Sequence, residues 1–368
     1  MRIHYIVTSL ENGGAEFSIP AIAQVVQGLG HEFRVFACEP RNRGAESRLV
    51  SAGVAYEVMS ERDAYKPASI LRFANAVRKS RPDVIWTSLS HATRVGQVVG
   101  AMFGIPVVSW KHSADAKPSV LKHHRSSKLW IADSGDVEVY LRCVMGVEPD
   151  RIVTWPLFNP ALSEAPVPQW DGVGPLRIGS AGRLHPQKNY ETFIRSIDRL
   201  RWEDPQTFSK IEVSIAGDGP LREGLEQLIK SLGLEDKFRL TGWVSDIPAY
   251  LRGLHLYVQP SLYEGMCIAS HEAMAAGLPI IATPVGEMRR SVQPGCTGVL
   301  IKGDIVRELA DAIRGFVAHP LKLTDLGTNG RDYVMRTMGD GAFLENGGKV
   351  LALIEETVMN RRKRFAGV

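Results

Sequence analysis

Cysteine is scarce in this chain of 368 residues: Cys38, Cys143, Cys267 and Cys296 are scattered, with no C-x-x-C spacing. That excludes a disulfide framework and a zinc ribbon, and a reducing compartment is expected. Long apolar runs are missing too, since no stretch approaches the roughly 20 residues of a membrane-spanning helix. The opening RIHYIVTSL is too short and too strand-like for the apolar core of a signal peptide. The expected location is cytoplasmic, with at most a peripheral place on the inner face of a membrane. Charge of one sign is also scarce, the net value being only +4. With no RNP, zinc-finger or long basic-helix signature, nucleic acid is not an expected partner. What remains is ordinary: 44% hydrophobic and 23% charged residues suit two globular domains, each able to bury a core.

The most informative stretch is HLYVQPSLYEGMCIASHEAMAAGLPIIATPVGEM, residues 255–288. Leu256 to Val258 reads as a short buried strand and Pro260 to Tyr263 as a turn. Ile268 to Ala276 has helical composition, and Gly277 and Pro279 stop it. Glu264 therefore belongs to a loop and Glu272 to a helix. Gly265 lets the backbone pass close to a ligand, and the N–H groups of Met266, Cys267 and Ile268 at the helix start suit an anion such as phosphate. Ionised carboxylates only accept hydrogen bonds, so Glu264 and Glu272 suit sugar or ribose hydroxyls beside that seat. Phosphate plus polyol points to a nucleotide sugar. An isolated pair of glutamates at this spacing reads more simply as solvated surface charge; the surrounding string shifts the balance.

With PSLYEG before the pair, EAMAAGLPIIAT after it and GCTGVLI further on, the stretch resembles the retaining GT-B glycosyltransferases of family 4. The resemblance implies an α/β fold of two facing Rossmann-like domains, a cleft between them and a C-terminal helix that crosses back to the first domain. It implies that Glu264 lies under the donor sugar and that Glu272 accepts from ribose hydroxyls. Three departures bear on loop shape and sugar identity: Cys267 where glycine is usual, Ala269 where proline is common, and Gly286 to Arg290 in place of Gly-Gly-x-x-Glu. Cys267 reads as a small residue in a tight turn rather than a reactive thiol.

In the first half, strand-like runs recur at Ile3 to Thr8, Glu32 to Ala37, Val54 to Val58, Val84 to Thr87, Val107 to Trp110, Leu129 to Ala132 and Ile152 to Thr154. Helical segments between most of them predict a parallel sheet covered on both faces, with ligands at the carboxyl ends of the strands. ENGGAE after the first strand makes a glycine turn before a helical run from Phe17 to Leu29. By itself Gly13-Gly14 is equally a plain turn; by resemblance Gly14 faces the donor phosphate and sugar. His112 follows the Val107 to Trp110 run. A histidine there is more often a simple turn residue, and the resemblance implies contact with the donor sugar. KPSVLKHHRSSK, Lys117 to Lys128, is basic without an acid, which suits a solvated loop or a docking surface for an anionic acceptor or lipid headgroups. A proline-rich stretch from Trp155 reads as the interdomain linker, with Asn159 at the place of a hinge asparagine common in the family.

In the second half, LRIGSAGRLHPQKNYETFI repeats the strand, glycine loop and helix. Arg183 and Lys188 there form a candidate diphosphate clamp: a planar fork and a point charge able to neutralise a leaving nucleoside diphosphate. Gly217 and Gly219 open a G-x-G-x-x-G fingerprint that fails at Arg222, so a dinucleotide oxidoreductase is a weak alternative. By resemblance the loop holding Val244 meets the base. No Asp-x-Asp triplet follows a strand-like run, so neither metal nor cofactor is expected.

The domains are expected at 1–160 for the acceptor, 161–340 for the donor and 341–368 for a closing helix, whose NRRKRF tail is a basic cluster. The expected activity is transfer of a sugar from a nucleotide-diphosphate sugar to a glycan or lipid-linked hydroxyl acceptor, with retention. The rivals are an epimerase of the same architecture and a silent nucleotide-sugar-binding protein.

Overall fold

Seven strands build the first sheet: β1 (Arg2–Val7), β2 (Glu32–Ala37), β3 (Ala55–Val58), β4 (Val84–Ser88), β5 (Val107–Lys111), β6 (Leu129–Ala132) and β7 (Ile152–Thr154). They lie in the order β3-β2-β1-β4-β5-β6-β7, all pairs parallel. The structure is a computed structural model describing residues 1–62, 66–114, 123–158, 166, 167 and 169–366, the side chains of 66 and 362–366 excepted. Every strand expected in the first half is present. β4, β5 and β6 are buried along their whole length, because helices cover both faces of a parallel sheet.

The helical run expected from Phe17 divides into Gly14–Phe17 and Ile19–Gly28. Pro20 has no N–H to give to the preceding turn, and the Ser18 hydroxyl donates to the Gly14 carbonyl at 2.8 Å where the two pieces meet.

The second sheet holds β8 (Leu176–Ala181), β9 (Ile211–Ala216), β10 (Phe238–Gly242), β11 (Leu256–Gln259), β12 (Ile280–Ala282) and β13 (Gly298–Leu300). Its order is β10-β9-β8-β11-β12-β13, again parallel. β12 and β13, three residues each, were not foreseen as separate strands, since so short a run carries no periodicity of its own.

The chain divides into two compact units, Met1–Asn159 with Asp340–Val368, and Pro160–Gly339. The closing helix Asp340–Ala366 thus belongs to the first unit, and Phe343, Val350, Leu351, Ile354 and Val358 on it are buried in that unit's core. Its seat is aromatic. The Trp155 ring lies 5.0 Å from that of Trp110 and 5.0 Å from that of Phe343. Gly347 makes the close approach possible, for a Cβ there would lie 2.7 Å from both Trp155 and Val25. Asn159, most of the linker, residues 117–122 of the basic loop and the tail side chains lie outside the described residues. Among those described, no helix is long and apolar enough to cross a membrane.

Candidate active site

In the second sheet the strand order reverses between β8 and β11, and loops leaving the carboxyl ends of such strands splay apart into a ligand-binding position. The loop after β8 carries Gly182, Arg183 and a short turn, Pro186–Lys188, closed by Asn189 in the left-handed region at φ 55°. The loop after β11 carries Ser261 to Cys267. Backbone and side chain stitch the two together. Leu262 N–H donates to the Gln187 carbonyl at 2.8 Å, and the Asn189 amide donates to the Pro260 carbonyl at 3.1 Å. The Gln187 amide donates to the Tyr263 carbonyl at 2.9 Å and to Glu264 Oε2 at 3.2 Å.

At the centre of this seam Lys188 Nζ lies 2.6 Å from Glu264 Oε1. Only 8% of Glu264 is exposed. Burial is the largest influence on Lys188 and works against its charge. The Glu264 carboxylate leads the groups that together outweigh it, and the lysine pKa ends above its ordinary value.

Behind Glu264 runs a buried chain of hydrogen bonds. Ser261 Oγ donates to Glu264 Oε1 at 2.7 Å, and Gln259 Nε2 donates to Ser261 Oγ at 2.6 Å. Gln259 Oε1 accepts from the Tyr257 hydroxyl and from Ser270 Oγ, both at 3.2 Å. A satisfied network of this kind rigidifies the carboxylate that it ends on.

Past Gly265 and the buried Met266, Cys267 precedes the helix Ile268–Ala275 with φ 56° and ψ 53°. Left-handed backbone explains why glycine suits this position, and the cysteine holds it against a steric cost. The first turn of the helix leaves N–H groups without intrahelical partners, the arrangement that draws anions. Glu272 sits half-buried on the same helix, with Glu264 on the loop before it. Next to it, His271 is fully buried between the Cys267 carbonyl at 3.1 Å and Ser291 Oγ at 2.8 Å. Gly286 closes the loop from behind. Its φ is +53°, a Cβ there would lie 2.2 Å from the Gly265 carbonyl oxygen, and that same oxygen accepts the Glu287 N–H at 2.9 Å.

The remaining expected residues fall around this centre. Arg183 is exposed on the β8 loop, so of the expected cation pair it is Lys188 that engages Glu264. Val244 is half-buried in the loop after β10. Gly217 and Gly219 serve packing: a Cβ on the first would meet the Gly182 carbonyl oxygen at 1.9 Å, and on the second the Leu184 carbonyl oxygen at 2.6 Å. These glycines bring the β9 loop against the β8 loop. In the first unit Gly14 opens the helix Gly14–Phe17, and His112 follows β5 on the rim, with Ser88 Oγ 2.7 Å from its Nε2.

Sequence reasoning missed Gln187, Ser261 and Gln259, and it gave Gly286 only as part of a departure from the family pattern. Gln187 reaches Tyr263 and Glu264 only through strand pairing and Gly286 meets Gly265 only when the loop closes, whereas Gln259, Ser261 and Glu264 bond one another locally. Signals were present in the polar residues of VQPS, inside and just after an apolar strand, and in a glycine just after TPV.

Two family models match the chain: Glycosyltransferase Family 4 over residues 12–158, and Glycosyl transferases group 1 over residues 175–319. The chain belongs to glycosyltransferase family 4. The chain is 28% identical over 239 residues to the lipopolysaccharide core biosynthesis mannosyltransferase LpsB of Rhizobium meliloti, a match covering 62% of the chain and 65% of that protein. It is 34% identical over 143 residues to the alpha-D-kanosaminyltransferase of Streptomyces kanamyceticus, covering 38% and 36%. The chain thus spans less than two thirds of both relatives. Among solved structures, Anabaena HepE in complex with UDP and glucose superposes with a TM-score of 0.82 at 18% identity, covering 96% of this chain and 99% of that one. Each unit of the chain has the parallel α/β build of the GT-B fold.

Proposed function

We propose that this glycosyltransferase moves a sugar from a nucleoside diphosphate sugar to a hydroxyl of a glycan or lipid-linked acceptor, with retention at the anomeric carbon. The observation that carries the reading is the Lys188–Glu264 pair, held by the Gln259–Ser261 chain directly before a helix N-terminus. It supplies a buried acceptor for sugar hydroxyls, a cation and a seat for phosphate where two loops meet. The names of LpsB and of HepE in complex with UDP and glucose support a nucleotide-sugar donor and a surface-glycan acceptor.

In this reading Glu264 orients the transferred sugar and Glu272 the ribose. Arg183, Lys188 and the amides of Met266, Cys267 and Ile268 balance the charge of the leaving diphosphate. No protein nucleophile takes part: the departing diphosphate accepts the acceptor's proton on the same face of the sugar. Divalent metal is not required, because those cations and amides do the balancing. Peripheral attachment through the basic 117–128 and 361–364 stretches belongs to the same proposal.

Thermal-shift measurements against UDP-, GDP- and ADP-sugars come first, since a bound donor stabilises the folded state by mass action. Transfer to an acceptor panel, with and without EDTA, and the anomeric coupling of the product by NMR complete the test. A product of inverted configuration, activity restored only by magnesium or manganese, or epimerised donor without any acceptor would each overturn part of the reading.

A further inference from the structure

At the ends of three neighbouring strands of the first sheet, Ser88 closes β4, His112 follows β5 and Asp133 follows β6. The register explains the meeting: Ser88 pairs with Trp110, and Lys111 with Ala132, so His112 and Asp133 both emerge one residue past paired strand ends. Ser88 Oγ lies 2.7 Å from His112 Nε2, and His112 Nδ1 lies 3.6 Å from Asp133 Oδ2. The Trp110 ring stacks on the imidazole at 5.8 Å between centroids. Asp133 is only 3% exposed, and its Oδ1, like His112 Nδ1, is buried without a hydrogen-bond partner. Buried polar atoms are seldom left unpaired without a reason.

The order of groups is that of a nucleophilic triad, but Ser88 is 2% exposed, which leaves no room for a substrate to be attacked there. The imidazole itself borders a small pocket with Leu89, Ser90, Thr93, Lys111 and Ser113. Leu89 has φ 72°, outside the usual range for a branched side chain, so the turn between Ser88 and the next helix is held under strain.

We propose that Asp133 and Ser88 are positioning residues for His112. A carboxylate only accepts, so Asp133 draws the ring proton to Nδ1, and Nε2 is left to accept the Ser88 hydroxyl. The ring is thereby fixed in one tautomer and one rotation where it borders the pocket, ready to meet a substrate group there. This rests on the glycosyltransferase reading.

The test uses full-length protein labelled with 15N at histidine, with the His112 signals assigned by their loss in His112→Gln. The free wild type should show the Nδ1–H tautomer. Asp133→Asn should shift it toward Nε2–H and lower kcat at least tenfold, with the KM for the donor within threefold. Ser88→Ala should keep the tautomer but broaden the ring signals, and Asp133→Glu should recover part of the rate. An unchanged tautomer in Asp133→Asn, or a shifted one with kcat within twofold, overturns the proposal. The NMR arm needs no substrate. A wild type that turns over no nucleotide sugar would sink the function reading and the catalytic half of this one, while the tautomer shift would stand.

Discussion

Lys188 Nζ and Glu264 Oε1 are 2.6 Å apart in the second unit, one on the loop after β8 and the other on the loop after β11. The contact joins the two sides of the switch point, so the residues proposed to hold the donor also hold the site's own shape. Removing one member leaves the other buried without its partner, which costs about 3–5 kcal/mol. Lys188→Met and Glu264→Gln should each destabilise the protein, and the double variant should lose less than the sum. Urea unfolding of all four proteins gives the coupling, and strict additivity would show that the pair contributes nothing.

Gly286→Ala should be among the most damaging small substitutions. The new Cβ would lie 2.2 Å from the Gly265 carbonyl oxygen at a φ of +53°, so the loop before the helix must move. We expect donor binding to fall at least tenfold with a loss of a few kcal/mol in stability. Isothermal titration with the best donor checks this. Unchanged affinity would mean that the Gly265 loop does not shape the donor seat.

Cys267→Gly should go the other way. Left-handed backbone costs a side-chain-bearing residue roughly 1–2 kcal/mol, and glycine carries no such penalty in the folded loop. Greater freedom in the unfolded chain offsets part of that gain. The expected result is a urea midpoint equal to or above that of the parent, with donor binding retained. A clear loss of stability would show that the thiol's packing outweighs the backbone strain.

Glu16 and His271 should respond to pH with opposite signs. Burial is the main cause that lifts Glu16 to about 7, with Glu11 adding to it and Arg41 opposing it. A raised carboxyl favours the protonated folded form, so its contribution is complete below pH about 4.5 and is lost as the pH rises through 7. Glu16→Gln should remove that decline, a relative gain at pH 8 on the order of 3 kcal/mol. Burial lowers His271 to about 4, so its contribution is complete above pH about 6.5 and is lost as the pH falls through 4. Hydrogen exchange resolved by unit, at pH 5 and 8, separates the two. A Glu16→Gln profile parallel to wild type would contradict the first assignment.

Much of the loop after β11 was legible from the order of residues. Glu264 on a loop, Glu272 in a helix and a glycine just before it follow from local composition, because turns and helix starts depend on near neighbours in the chain. The seven strands of the first half were legible for the same reason, each being a compact apolar run between turn signals. Cys267 stood out as a residue in a glycine's place, and its φ of 56° gives the physical cause.

Tertiary structure alone decided who touches whom. Lys188 and Glu264 are 76 residues apart, and Gly286 meets Gly265 across a closed loop. His112 acquires Ser88 and Asp133 only when β4, β5 and β6 fall into one register. Gly347 is unremarkable in the sequence until the Trp155 ring lies against it. Chain order fixes the local conformations and the chemical inventory, since both are set within a few residues. Pairing across a sheet is set by the burial of the whole apolar surface at once, and no short window contains that information.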